Sequence, residues 1–219
     1  MKRENSVLII AGPSGAGKTV VAKAIVEKDE RFTFLRSTTT RARRGDEHDD
    51  EYLYATEEEF FAAVDRGEFV EHMKYGSAYY GTTKAEMNAA LDRGQIPLLV
   101  LDLCGVESLG VAEDYSACSV YIYAPLEVID ARLRARYRCE GVTGGDEACR
   151  TRRARNISDF LSLPEYAPHI HRFIENVDTV EDCRDRVMAC FEGYCDGEKK
   201  DTEAVARRAE ELKRSAEAQ

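Results

Sequence analysis

The chain is 219 residues long, with 43% hydrophobic residues, 33% charged residues and a formal net charge of −10. That length is about one and a half average domains, which predicts a single substantial core carrying an insertion or appendage. No apolar run approaches the roughly 18 residues that cross a bilayer, and the short run Val7–Ile10 lacks the length and cleavage site of a signal peptide; a membrane protein is excluded and a cytoplasmic one expected. The acidic balance predicts no general attraction to nucleic acid, so any bound anion must be held by a local site.

In chain order, Ser6–Ala11 (SVLIIA) reads as a buried strand that meets a turn at Gly12-Pro13. From Gly17 the apolar residues Val20, Val21, Ala24 and Ile25 take helical spacing. Thr56 and Thr83 are each followed three residues later by a glutamate, the capping-box pattern of a helix start, and both helices are expected to end at an Arg-Gly pair, Arg66-Gly67 and Arg93-Gly94. Between them, residues 68–80 have the aromatic and β-branched composition of short strands on a small mixed sheet, which reads as an insertion.

Pro97–Leu103 and Ser119–Ala124 are near-continuous apolar runs, as expected of parallel strands covered on both faces. A helix opens at Pro125, a last strand is expected at Phe173-Ile174, and a helix follows over about Thr179–Cys195. The alternation predicts an α/β fold. The seven cysteines show no Cys-x-x-Cys pair and read as reduced, small, buried side chains. Residues 196–219 have no aromatic residue, one leucine and many charges of both signs, and read as a solvated helical extension or a disordered tail.

Gly12-Pro13-Ser14-Gly15-Ala16-Gly17-Lys18-Thr19 matches G-x-x-x-x-G-K-[ST]. Glycines let successive backbone N–H groups curl around a phosphate, and the helix that follows adds the positive end of its dipole. Lys18 is expected to reach the β- and γ-phosphates, and the Thr19 hydroxyl to ligate Mg²⁺. A glycine loop could merely turn a strand into a helix, but the strand-before, helix-after context favours nucleotide binding. The segment from Ser37 to Gly45 then places hydroxyls and the arginines Arg41, Arg43 and Arg44 within nine residues, a composition suited to a second phosphate.

The phosphate loop, Ser37-Thr38-Thr39-Thr40-Arg41 with Arg44-Gly45 and Tyr52, Phe69-Val70-Glu71, Tyr79-Tyr80-Gly81-Thr82, and Leu101-Asp102-Leu103-Cys104-Gly105-Val106 occur in the order of guanylate kinase, which the chain resembles from about residue 5 to 195. The resemblance implies a P-loop NTPase fold: a central parallel sheet flanked by helices (about 1–36 and 95–195), an inserted GMP-binding α/β subdomain (about 37–90) and a mobile lid (about 137–149). It implies transfer of the γ-phosphoryl of ATP to GMP with Mg²⁺, in purine nucleotide metabolism, with ATP and GMP as the small-molecule substrates and a monomer or homodimer as the working unit.

On the matching positions, Ser37, Arg41, Arg44, Tyr52 and Tyr80 would hold the GMP phosphate. Glu71, Thr82 and Asp102 would read guanine, whose N1–H and 2-amino group are neighbouring donors suited to acceptor-only carboxylates. An adenine there would leave a carboxylate unpaired. Catalysis would fall to Lys18, Arg41, Arg44, Arg136 and Arg152, drawn from a wider set that includes Arg132, Arg150, Arg153 and Arg155 on either side of the lid.

The chain departs from the family pattern in places. Its Arg41-Ala42-Arg43-Arg44-Gly45-Asp46 is one residue shorter than the usual arginine motif, so either Arg43 or Arg44 could be the second phosphate arginine. Val100 stands where the family usually has an acidic residue associated with the metal's water shell, and Cys104 where glutamine is common. Two other readings stay open at this stage: a related P-loop kinase for another monophosphate or a ribose phosphate, and a non-catalytic phosphopeptide-binding module of guanylate-kinase type.

Overall fold

The computed structural model of the chain describes residues 5–43, 52–139 and 145–219. The first half runs β1 (Ser6–Ala11), α1 (Lys18–Lys28), β2 (Phe32–Phe34), β3 (Ser37–Thr39), β4 (Tyr52–Tyr54), α2 (Glu57–Asp65), β5 (Phe69–Tyr75), β6 (Ala78–Thr83) and α3 (Lys84–Asp92). The second runs β7 (Ile96–Val100), α4 (Leu103–Gly110), β8 (Ser116–Tyr123), α5 (Leu126–Cys139), α6 (Gly145–Tyr166), β9 (Arg172–Glu175), α7 (Val180–Cys195) and α8 (Thr202–Glu217).

β2, β7, β1, β8 and β9 lie in that order as one parallel sheet. The period of two along β1 divides the core. Val7, Ile9 and Ala11 pack with Leu99, Tyr121 and the inner faces of α4, α5, α6 and α8, while Leu8 and Ile10 pack with Leu98, Val120, Ile122 and residues of α1 and α7. Both faces are covered, which is why these strands carry unbroken apolar runs rather than alternation. No helix among the described residues is long and apolar enough to cross a membrane.

A second, mixed sheet has the order β4-β3-β6-β5, with β3 and β4 parallel and the remaining pairs antiparallel. Its flanking helices start where the glutamate spacing placed them. Thr56 accepts from Glu59 N–H at 3.1 Å and Glu59 returns a bond to the Thr56 N–H at 2.8 Å, a complete capping box. Thr83 accepts from Glu86 N–H, but the Glu86 carboxylate turns instead to Arg36 at 3.5 Å. Gly67 and Gly94 follow the two helix ends with φ of +65° and +70°, the left-handed conformation that halts a helix.

The structure adds to or differs from the sequence reading in four places. The strand expected over Pro97–Leu103 ends at Val100, because the Asp102 carboxylate accepts from Gly105 N–H at 2.8 Å and opens α4, a helix that the apolar run concealed. Ser37–Thr39 and Tyr52–Tyr54, to which the sequence reading assigned no element, are strands. The segment 196–219, read as a solvated helical extension or a disordered tail, contains the helix α8, which is not solvated all round but lies on α6 with Val205, Ala209, Leu212 and Ala216 buried. Their spacing of three, four and seven makes an apolar stripe that the surrounding charges disguise. Within the expected lid, Gly145 opens α6, and residues 140–144, with Gly141 and Gly144, lie outside the described residues.

Burial of that stripe makes α8 part of the core. Leu212→Ala is therefore expected to lower stability to chemical denaturant by about 2 to 3 kcal/mol; a change within about 0.5 kcal/mol, usual for a surface position, would show that α8 contributes no core.

Candidate active site

The glycine loop leaves β1 under tight steric constraint. A Cβ on Gly12, whose φ is +145°, would lie 2.0 Å from the Ile122 carbonyl oxygen. One on Gly17, at φ +93°, would lie 2.6 Å from the Asn176 amide nitrogen. The loop is fixed from outside by two buried asparagines. Asn156 on α6 accepts from Ser14 N–H and donates to Ser14 C=O, both at 2.9 Å, and Asn176 after β9 donates to Ala16 C=O at 2.8 Å. Asn156 is fully buried, so each amide atom spends its polarity on the loop backbone. The Lys18 ammonium donates to Gly12 and Pro13 carbonyls at 2.7 and 2.9 Å.

A single cleft of about 780 Å³ opens from this loop. Gly12, Ser14, Gly15, Gly17, Lys18 and Thr19 line one side, and Ser37, Arg41, Tyr52, Glu71, Tyr80 and Asp102 line the other. Lys18 and Glu71 thus face the same space. Pro13 and Ala16 belong to the loop but do not line the cleft, and Thr82 is buried behind it.

Strand register explains the acceptor-side wall. Glu71 pairs with Thr82 and Met73 with Tyr80 across β5 and β6, so with a side-chain period of two these four share one face. Ser37 lies directly beside Tyr52 across β3 and β4. Gly81 occupies the opposite face, where a Cβ would come within 2.7 Å of the Phe69 ring. The Arg41 guanidinium lies over the Tyr52 ring at 5.2 Å, while Arg43 lies over Tyr54 at 5.5 Å and does not line the cleft. Arg44 lies outside the described residues.

Electrostatics divide the cleft into distinct parts. Glu71 is only 6% exposed, and burial raises its carboxyl to about 7; hydrogen bonds from Thr82 pull it down, and the nearby Asp102 pushes it up. Asp102 is raised by burial despite its bond from Gly105 and the attraction of Arg155 and Lys18. Burial lowers Lys18 to about 8, with Asp159 and Asp102 acting to keep it charged and Arg152 acting against.

Of the arginines around the lid, Arg132, Arg136 and Arg152 line the cleft. Arg132 donates to Asn176 C=O at 2.9 Å through one nitrogen, and its Nη1 is buried with no hydrogen-bond partner among the described residues. Arg152 reaches toward the Ser14 hydroxyl at 3.5 Å. Arg150 and Arg153 are turned elsewhere, pairing with Glu147 and Asp130 respectively, and neither lines the cleft. Arg155 is not on the cleft wall but acts on Asp102 and Asp159 by charge.

Sequence reasoning missed Asn156, Asp159, Tyr121 and the anchoring role of Asn176. Asn156 and Asp159 are four and seven residues after Arg152, one face of α6, so the face could have been found once Arg152 was singled out. Tyr121 had no such signal: its hydroxyl is buried at the cleft wall with no hydrogen-bond partner among the described residues, inside an ordinary apolar strand.

Comparison with known proteins places this architecture. A family model described as guanylate kinase matches residues 4–148. The guanylate kinase of Rickettsia bellii is 34% identical over 182 residues, covering 82% of this chain and 92% of its own length. That of Paramagnetospirillum magneticum is 32% identical over 168 residues, covering 76% of each chain. The solved guanylate kinase of Anaplasma phagocytophilum superposes with a TM-score of 0.64 at 24% identity, over 89% of this chain and 88% of its own, and supports the fold. Matched by the family model over most of its length and by relatives above 30% identity over more than three quarters of it, the chain belongs to the guanylate kinase family.

Proposed function

We propose that the chain transfers the γ-phosphoryl group of ATP to GMP, giving ADP and GDP, as a cytoplasmic enzyme of purine nucleotide metabolism. The observation that carries this reading is the shared cleft, with a phosphate loop on one wall and the buried Glu71 and half-buried Asp102 carboxylates on the other. Transfer of this kind demands little covalent chemistry from the protein, so positioning and charge stabilisation must supply most of the rate.

In this reading the backbone N–H groups of Gly15, Gly17, Lys18 and Thr19, with the start of α1 behind them, cradle the phosphates of ATP, the Ser14 N–H being held by Asn156. The two buried asparagines hold that cradle in shape before the nucleotide arrives, so the ordering cost is met on folding rather than on binding. Lys18 exchanges its carbonyl partners for the β- and γ-phosphates. Arg41, with Ser37, Tyr52 and Tyr80 around it, takes the GMP phosphate, and its stacking on Tyr52 orients the guanidinium plane. Arg132, Arg136 and Arg152 face the space between the two phosphates, and the unpaired Arg132 Nη1 is a preset donor for charge developing there.

The oxygen donors on the loop side of the cleft, the Thr19 hydroxyl and the Asp159 carboxylate, suit a hard divalent cation, and Val100 adds none. Mg²⁺ held there would neutralise charge on the β- and γ-phosphates.

Glu71 reads guanine. Its carboxylate accepts from N1–H and the 2-amino group, while Thr82 donates to it from behind and fixes its plane. The base-reading pair is what disfavours a sugar-phosphate kinase, and the complete phosphate loop is what disfavours a binding module.

Turnover measured by ADP release with a panel of acceptors tests the reading: GMP should be used at least 100-fold better than AMP, CMP or UMP, and equal rates would remove the guanine assignment. The raised Glu71 carboxyl has a further consequence. Its value is about 7 in the folded chain against an ordinary 4.5, so protonation competes with guanine below neutrality. The same shift means that Glu71 costs the free protein progressively more stability as pH rises from about 4.5 to 7, and no more beyond. GMP affinity should therefore increase as pH rises through 7, and Glu71→Gln should both weaken GMP and abolish the part of the pH dependence that the phosphate's own titration does not explain. Identical pH profiles for the two proteins would show that Glu71 does not contact the base.

A further inference from the structure

A second cavity of about 330 Å³ lies on the other side of the molecule's last strand, between β9, the end of α7 and the start of α8. Part of its wall, the turn and α8, comes from residues 196–219, beyond the 4–148 matched by the family model. Its lining contains five cations, Arg172, Lys199, Lys200, Arg207 and Arg208, against three carboxylates, in a chain whose net charge is −10. A local excess of positive charge on an acidic protein is where an anion is concentrated.

The five cations are not equally committed. Lys200 is fixed by the carbonyls of Ala167 and Pro168, both at 2.7 Å, and Arg208 pairs with Glu211 at 2.9 Å and lies over the Tyr123 ring. Arg172 lies near the Cys190 thiol, whose thiolate form its charge favours. Lys199 and Arg207 are exposed and have no acidic partner among the described residues. The placement of the lysines follows from the turn: α7 stops at Asp196, Gly197 adopts a φ of +86°, and Glu198 N–H bonds back to Gly193 C=O at 2.9 Å, which starts the Lys199-Lys200 pair across the mouth of the cavity.

The floor is apolar and aromatic. Phe173 and the buried Val205 form part of it, and Tyr194 contacts the His171 ring at 4.9 Å. A cavity within the usual size range of ligand sites, apolar below and cationic at the rim, fits a small molecule carrying phosphate groups. Phe173 also rests on Tyr121 at 5.3 Å, and Tyr121 lines the catalytic cleft, so a single pair of rings separates the two cavities.

We propose that this cavity between β9, α7 and α8 is a second binding site, separate from the catalytic cleft, for a small phosphorylated ligand gripped by Arg172, Lys199 and Arg207. The mode is charge-assisted hydrogen bonding by exposed cations over a preformed floor, so binding depends on ionic strength.

Inorganic pyrophosphate is the probe. Its binding to the full chain is followed by equilibrium dialysis, beside the Lys199→Ala/Arg207→Ala double variant, whose two positions are exposed and contribute nothing to the core or the cleft. The expected result is that the double variant binds one fewer pyrophosphate per chain, or binds the corresponding equivalent at least ten-fold more weakly, while its kcat with ATP and GMP stays within two-fold of the parent. An unchanged stoichiometry and affinity in the double variant would overturn the proposal. So would restriction of all bound pyrophosphate to sites competed away by ATP and GMP.

Discussion

Two buried amide side chains hold the site together. Asn156 and Asn176 bind the backbone of the glycine loop from opposite directions, one from α6 and the other from the end of β9. A loop whose glycines avoid side chains so that N–H groups can converge has little to stabilise it from within, and Gly12 and Gly17 hold conformations that other residues rarely adopt. The external clamps supply what the loop lacks. They also impose an order on everything nearby, because α6 and the β9 end carry Arg152 and Asp159 in the one case and the carbonyl that anchors Arg132 in the other. Loop shape and arginine placement are one constraint.

The opposite wall is governed by a different cost. Glu71 is a buried carboxylate and Asp102 a half-buried one, neither bonded directly to a cation among the described residues, and both are pushed toward the neutral form. Burying ionisable groups in this way lowers stability, and what offsets it in the free protein is modest: Thr82 for Glu71, the start of α4 for Asp102. A ligand with two adjacent N–H donors would satisfy them. On the proposed reading a base without those donors leaves the cost in place, which would make the acceptor wall selective.

How far the sequence disclosed this depends on the range of the interactions. The phosphate loop, the helix caps at Thr56 and Thr83 and the β1 strand were legible because each is set by residues within a few positions of one another. The arginine-and-hydroxyl segment was legible as chemistry but not as structure: its strand character comes from pairing with β6 and with Tyr52–Tyr54, which local composition does not encode. Asp102 was read as a strand carboxylate because α4 continues the apolar run that β7 begins. The buried stripe of α8 was hidden by the charges around it, and the partner that makes it a core helix, α6, lies some fifty residues earlier. Asn156 and Asp159 were legible only through their helical spacing to Arg152, whereas Tyr121, inside an ordinary apolar strand, acquires meaning only when the loop is folded against it.

Direct transfer requires the donor and acceptor phosphates to lie close together in one cleft, and a bisubstrate molecule measures that proximity most directly. Isothermal titration with adenosine and guanosine joined through five phosphates should give one-to-one binding at least 100-fold tighter than either ATP or GMP alone, with the gain lost in Glu71→Gln. If the bridged molecule binds no more tightly than its stronger half, the two walls do not hold donor and acceptor together, and the proposed direct transfer is wrong.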